Sequence, residues 1–276
     1  MEPQDHLNTN ILSFPVFCHE LKNIVLKEKT IINTLNQYSY VMAEQNSLFK
    51  NALLESDVLL PDGIGIVAAC KLLNGLRIKK IAGSDVHLYL LQQLKETGGR
   101  CFYLGSSNHT LERIKKHCEQ EFSGVSVGYY SPPFKKQFDF EDNQRMIEII
   151  NAYNADVLFI GLSAPKQEMW VHQHKDALNV KAICSIGAVF DFYAGTINRP
   201  SKFWVNLGME WFIRLVKEPS RLWKRYLYYG PVFLFIVMKK KVNQSIRTRA
   251  LASRIKMVKI YKSYIFKTTK SDKIIS

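Results

Sequence analysis

The sequence predicts an α/β fold: a parallel sheet with helices on both faces, followed by a helical C-terminal appendage. Three observations carry this. Short apolar runs alternate with helix-patterned segments through the first 200 residues, as expected of parallel strands joined by crossover helices. Most of these runs stop at Gly, Ser, Asn or Pro, after which apolar residues recur three and four apart, the spacing of one helix face. After Pro200 the strand signals cease and an aromatic, arginine-rich stretch begins.

In chain order, the strands expected are Thr30–Asn33, Asp57–Leu60, Arg100–Leu104, Ser126–Tyr130, Asp156–Ile160 and Ala182–Ile186. In such sheets ligands bind where strands end and helices begin. The loops to search are therefore Thr34–Asn36, Pro61–Gly65, Gly105–Asn108, Gly161–Gln167 and Gly187–Asp191. A helical region is expected from Trp204 to Tyr229, divided at Pro219. Beyond Lys239 the chain turns basic, with Ile246, Leu251, Ile255, Val258, Tyr261 and Ile265 spaced near one helical face. The organisation expected is an α/β body over 1–198, an Arg-rich helical appendage over 199–240 and a basic amphipathic tail over 241–276.

The charge follows the same division. Of the net +14, residues 199–276 carry +16, from 19 Lys and Arg against three acids, and the first 198 residues carry −2. A near-neutral body with a basic arm suits an anionic partner. The tail's aromatics cluster with long apolar residues from Tyr226 to Met238, which favours a lipid headgroup interface over nucleic acid. That stretch has 13 residues and contains Gly230 and Pro231, whereas a helix crossing a bilayer needs about 20 apolar residues. The polar, acidic opening MEPQDHLNTN does not resemble a secretory leader. Five scattered cysteines without C-x-x-C spacing indicate neither a disulfide framework nor a zinc site, and fit a reducing, cytoplasmic setting. Self-association is left open.

Four constellations could carry chemistry. Asp57-Val-Leu-Leu-Pro-Asp62-Gly63-Ile-Gly65 places an acid at a strand end, where a carboxylate serves as a general base or caps the next helix. The same glycines with Ala68 match G-x-G-x-x-A, and Asp85 follows about 20 residues on, as in a dinucleotide fingerprint. Asp85, however, sits in Ala82-Gly83-Ser84-Asp85 and looks like a helix start, which weakens a nicotinamide-dependent oxidoreductase reading. Gly161-Leu-Ser-Ala-Pro165-Lys166-Gln167-Glu168 enters a helix where Lys166 and Gln167 could reach a phosphate or a sugar hydroxyl; Pro165 and Glu168 also make an ordinary helix start. Asp191, between Phe190 and Phe192, is costly to bury unpaired, so it needs a donor or a ribose hydroxyl, or else caps a helix. Arg221 and Arg225 are four apart, with Arg214 a heptad earlier. Three converging guanidinium groups suit a diphosphate, although solvated basic helix faces are common. Asp139-Phe-Glu141-Asp142 reads as helix-capping acids, and His172-Gln-His174 lacks a metal spacing.

Thr34-Leu-Asn36, Leu60-Pro-Asp62-Gly-Ile-Gly65, Gly83-Ser84-Asp85, Phe102-Tyr-Leu-Gly105, the Gly161–Glu168 and Gly187–Gly195 segments, and Glu210-Trp through Arg225-Tyr226 stand in this order and spacing. Together they resemble the WecG/TagA/CpsF family of bacterial glycosyltransferases, over roughly Lys29 to Pro231. That family includes N-acetylmannosaminyl transferases of wall teichoic acid and enterobacterial common antigen synthesis. The resemblance implies a Rossmann-like core and an inverting, metal-independent, cofactor-free transfer from a UDP-sugar to a polyprenyl-diphosphate-linked saccharide at an anionic membrane surface. It makes Asp62 the base and puts Thr34, Asn36 and Gln167 in the sugar pocket. Arg214, Arg221 and Arg225 would neutralise the departing UDP, with Asp191 at the nucleoside end. Lys80 stands where many relatives have Arg, at a phosphate-contacting position, and Gln37-Tyr38 replaces a common Pro-Glu.

Overall fold

The structure, a computed structural model, describes residues 7–26, 29–197, 203–204, 208–248 and 254. Its centre is a six-stranded, fully parallel sheet of β3 (Thr30–Leu35), β4 (Val58–Pro61), β5 (Arg100–Gly105), β6 (Ser126–Tyr130), β7 (Val157–Gly161) and β8 (Ala182–Ser185), in the order β4-β3-β8-β7-β5-β6. All six expected strands are present. Two of them start one residue late for a physical reason. Asp57 and Asp156 stand just ahead of their strands, and each carboxylate accepts an amide at the start of a neighbouring strand, Ile31 N–H and Arg100 N–H, both at 2.8 Å.

Alternation along the strands splits the core in two, because successive side chains point to opposite faces. Ile32, Leu60, Tyr103, Phe159 and Cys184 face one side, with Leu90, Leu91 and Phe190 packed over them. Ile31, Phe102, Leu104, Leu158, Ile160 and Ile183 face the other, covered by Met146, Ile150 and Trp170. Each large side chain buried this way stabilises the fold by about 1.5–3 kcal/mol. The covering helices are α1 (Gln37–Gln45), α2 (Ser47–Leu54), α3 (Ile64–Asn74), α4 (Gly83–Thr97), α5 (Asn108–Glu121), α6 (Phe140–Tyr153), α7 (Lys166–His174) and α8 (Val189–Tyr193). Their starts follow local chemistry. Ser107 caps α5, and Asp139 caps α6 with Asp142 in a reciprocal box, so the acidic run does the capping expected of it.

An antiparallel hairpin of β1 (Asn8–Ile11) and β2 (Phe14–Phe17) precedes the sheet, with β2 packed beside β4. It was not expected from the sequence. At the other end, α9 (Glu210–Lys217) stops before Pro219, which is the first residue of α10 (Pro219–Trp223); proline is tolerated there because a first-turn N–H has no helical partner. The helical path continues through a π turn at Lys224–Tyr228. Trp211 meets Tyr226 at 5.9 Å between ring centroids, Tyr229 meets Tyr38 at 5.0 Å and Phe233 meets Tyr40 at 5.4 Å. The described chain up to Phe233 forms one compact unit and that from Leu234 a second. The second is helical to residue 248 and exposes Leu234, Phe235, Met238, Val242 and Ile246 beside Lys239, Lys240 and Lys241. No helix among the described residues is long and apolar enough to cross a membrane. Pro200, and Leu251, Ile255, Val258, Tyr261 and Ile265 of the expected tail face, lie outside the described residues.

Candidate active site

The carboxyl ends of the parallel strands open on one cleft of about 1100 Å³, just above the ~300–1,000 Å³ range of small-ligand sites. Thr34 lines it from the end of β3, and Asn36 from the turn that follows. Asn36 Oδ1 accepts the backbone N–H groups of Tyr38 (3.1 Å) and Ser39 (3.0 Å), capping α1. Its carbonyl is therefore committed to the fold, and its Nδ2 donors remain for a ligand.

Asp62 follows β4. Its N–H donates to Leu35 O (2.9 Å) and Leu60 O (3.0 Å), which pins the residue where two strands end. The next residue must be glycine: Gly63 has φ +124°, and a Cβ there would lie 3.1 Å from Gln37 Oε1. Gly63 is the N-cap of α3, and no side chain caps that helix. The Asp62 carboxyl is thus not spent on helix capping. Burial raises its pKa above the usual carboxylate range, with Glu210 adding to the rise. Lys80, Arg225 and Arg214 pull it back down.

Asp85 does cap a helix. Its Oδ2 accepts Ala82 N–H at 2.8 Å in the first turn of α4, so no acid stands at the strand end as a dinucleotide fingerprint requires. The oxidoreductase reading loses its motif.

The appendage brings cations to the same cleft. Arg214, Arg221 and Arg225 all line it, as does Asp191 in α8. The Arg214 guanidinium lies 5.0 Å over the Phe192 ring, with its Nε buried and unpartnered. Arg225 lies 5.1 Å over Tyr38, and Arg221 pairs with Glu218. No side chain caps α8, so Asp191 is not a helix-cap acid. Burial raises its pKa, and Arg221 and Arg214 lower it. Lys80 is placed differently: it does not line the cleft but donates at 2.8 Å to Glu210, which does. The Lys80 loop is tied to the end of β4 by Ile81 N–H donating to Pro61 O (3.0 Å), which keeps the ammonium close enough to act on Asp62.

From the β7 side, Gln167 and Glu168 reach the cleft in the first turn of α7, both buried. Gln167 Nε2 donates to Glu168 Oε1 at 2.9 Å. Burial lifts the Glu168 pKa to about 7 against the hydrogen bond from Gln167 and the charge of Arg225. Lys166 also lines the cleft, beside two other lining residues: its Nζ donates to Lys135 O at 2.6 Å and lies 3.4 Å over Phe138. Several buried polar atoms in the cleft wall have no partner: Ser84 Oγ, Gln167 Oε1, Glu168 Oε2 and Arg214 Nε. Native proteins rarely leave such atoms unsatisfied, so the wall is shaped for a polar ligand.

The model of the glycosyl transferase WecG/TagA/CpsF family matches residues 6–247. The chain belongs to that family. It is 29% identical over 197 residues to an N-acetylglucosaminyldiphosphoundecaprenol N-acetyl-beta-D-mannosaminyltransferase of Bacillus spizizenii, spanning 71% of this chain and 74% of the relative. A Bacillus subtilis protein of the same name is 28% identical over 239 residues, 87% of this chain and 90% of the relative. In this WecG/TagA/CpsF chain, the structure gathers Thr34, Asn36, Asp62, Gln167, Asp191, Arg214, Arg221 and Arg225 into one cleft and leaves Lys80 one ion pair behind it. The sequence reading missed Glu210, which holds Lys80, and Tyr38, which lies under Arg225. Glu168 stands in the first turn of α7, as its reading as a helix-start acid expected; its hold on Gln167 was not foreseen. The signal for Glu168 was available in its own motif, since Pro165 has no N–H for a capping carboxylate to accept.

Proposed function

We propose that this chain transfers N-acetylmannosamine, or a closely related hexose, from a UDP-sugar to a polyprenyl-diphosphate-linked saccharide, with inversion and without a divalent ion, at the inner face of a bacterial membrane. The observation that carries the proposal is electrostatic: Asp62 feels Arg225 and Arg214, which line the same cleft, and Lys80 behind it, all contributed from distant parts of the chain. In this reaction Asp62 takes the proton of the acceptor hydroxyl as its oxygen attacks the anomeric carbon. The bond from that carbon to the UDP oxygen breaks, and UDP leaves with its electron pair. A base with a raised pKa accepts that proton more readily than an ordinary carboxylate. The appendage guanidinium groups meet the charge growing on the diphosphate, the role a metal ion plays elsewhere. The names of the Bacillus relatives support both the sugar and the lipid-linked acceptor. The exposed Trp223, Leu227 and Tyr228 of the first unit suit a headgroup interface.

The test is UDP release by the purified chain with a soluble polyprenyl-diphosphate N-acetylglucosamine acceptor, a panel of UDP-sugars, and EDTA present. UDP-N-acetylmannosamine is expected to be turned over, and Asp62→Asn to lower the rate by about 10²–10⁴ with the fold intact. Near-normal transfer by Asp62→Asn, or an absolute need for a divalent ion, would end this account.

A further inference from the structure

The Gln167–Glu168 pair carries more than pocket lining. Both side chains are buried, at 4% and 2% exposure. The NH2 end of the Gln167 amide meets Glu168, donating from Nε2 to Oε1 at 2.9 Å. The carbonyl oxygen must then face elsewhere. It faces Gly187, where an added Cβ would stand 3.2 Å from it, at the turn leading to α8 in the cleft wall. That oxygen has no partner, and neither has Glu168 Oε2. Each such buried atom costs about 1–3 kcal/mol.

The local sequence explains why Glu168 is available. It is the third residue of α7, where an acid ordinarily turns back onto the N-cap amide. Here the N-cap is Pro165, which has no N–H to offer. The carboxyl therefore cannot close a capping box; it meets its own backbone amide and holds its neighbour.

We infer that Glu168 is a positioning residue: by gripping the NH2 of Gln167 it fixes the Gln167 carbonyl as a hydrogen-bond acceptor in the cleft, so that the site selects a donor sugar presenting N–H or O–H at that point. The inference rests on the glycosyl-transfer reading and extends it to donor selection.

The test compares Glu168→Met, Glu168→Gln and Gln167→Met in the full chain with UDP-N-acetylmannosamine and its singly deoxygenated or fluorinated analogues. Losing one fixed acceptor is expected to raise KM for the donor about tenfold in Glu168→Met, with kcat within about threefold and Tm unchanged or higher. Wild type is expected to reject one analogue by about the same factor, and Glu168→Met to accept it as well as the parent sugar. Glu168→Gln should recover wild-type KM, because its carbonyl can accept the same Gln167 N–H. Unchanged KM and selectivity in Glu168→Met, or a Gln variant as impaired as Met, overturns the inference. If Gln167→Met binds and turns over every donor normally while Asp62→Asn is inactive, the pair falls and sugar transfer stands. Calorimetric Kd values for UDP-N-acetylmannosamine repeat the comparison without turnover. A Met variant that binds as tightly as wild type overturns the pair whatever becomes of the transfer reading.

Discussion

Glu168 makes the fold itself sensitive to pH, in a direction the structure determines. Burial raises its pKa from 4.5 to about 7, against the opposing pull of the Gln167 hydrogen bond and Arg225. The folded state therefore holds its proton more tightly than the unfolded chain. The stabilisation that follows is complete below about pH 4.5 and is lost as pH rises through about 7. A rise from 4.5 to about 7 is worth roughly 3 kcal/mol. Glu168→Gln keeps the shape and cannot ionise. Relative to wild type it should gain roughly 3 kcal/mol between about pH 4.5 and pH 8.5, or roughly 6–12 °C in Tm for a chain of this size. The small cavity behind Glu168 is lined by Asn33, Glu55, His172 and Lys175, and Tyr38 and Arg225 act on its cleft side. These groups are common to both proteins, and their contributions cancel in the difference. Urea unfolding followed by circular dichroism in matched buffers measures the gap. Two pH profiles that run parallel would refute the reasoning, because they would mean that Glu168 is ionised in the fold at no cost.

Arg225→Met should lower turnover by about 10–100-fold, the worth of one or two charge-assisted hydrogen bonds, and Arg225→Lys should recover only part, lacking the planar fork. Because Arg225 holds down the Asp62 pKa, the acid limb of the pH–rate profile should move up in Arg225→Met; a limb that stays in place separates the two groups. Gly63→Ala forces a side chain into φ +124° and against Gln37 Oε1, and should cost about 1–3 kcal/mol together with most of the activity; an unshifted Tm would show that the turn is not constrained. Replacing the exposed Trp223 and Leu227 with Ser should weaken sedimentation with phosphatidylglycerol vesicles, and equal sedimentation would take the membrane contact away from this helix.

The six sheet strands were legible because parallel strands buried on both faces write continuous apolar runs, and each run here ends in a turn signal. The β1–β2 hairpin was not. Its turn is Leu12-Ser13, with φ +53° and +75°, where the sequence signature of such turns is Asn-Gly or Asp-Gly; an ordinary residue pair held in the left-handed region leaves no local trace. The strand starts at Asp57 and Asp156 were misjudged because an acid that caps a neighbouring strand is indistinguishable, in one dimension, from one that begins its own. For the cleft, the strand-end rule found Thr34, Asn36, Asp62, Gln167 and Asp191, since their positions depend only on where strands stop. The Lys80–Glu210 pair joins residues 130 apart in the chain, and no local pattern announces a partner at that distance.

Asn36 serves two masters with two ends of one amide. Its oxygen finishes the first turn of α1, and the residue lines the cleft with its NH2 donors uncommitted to that turn. Aspartate or serine could take over the first duty and would lose the second; glutamine could present the nitrogen but would overreach the helix end. The division leaves asparagine as the single side chain of the right length and polarity. It also ties the position of that amide to the rim of a helix rather than to a free loop, so any recognition made there would be as rigid as the architecture that carries it.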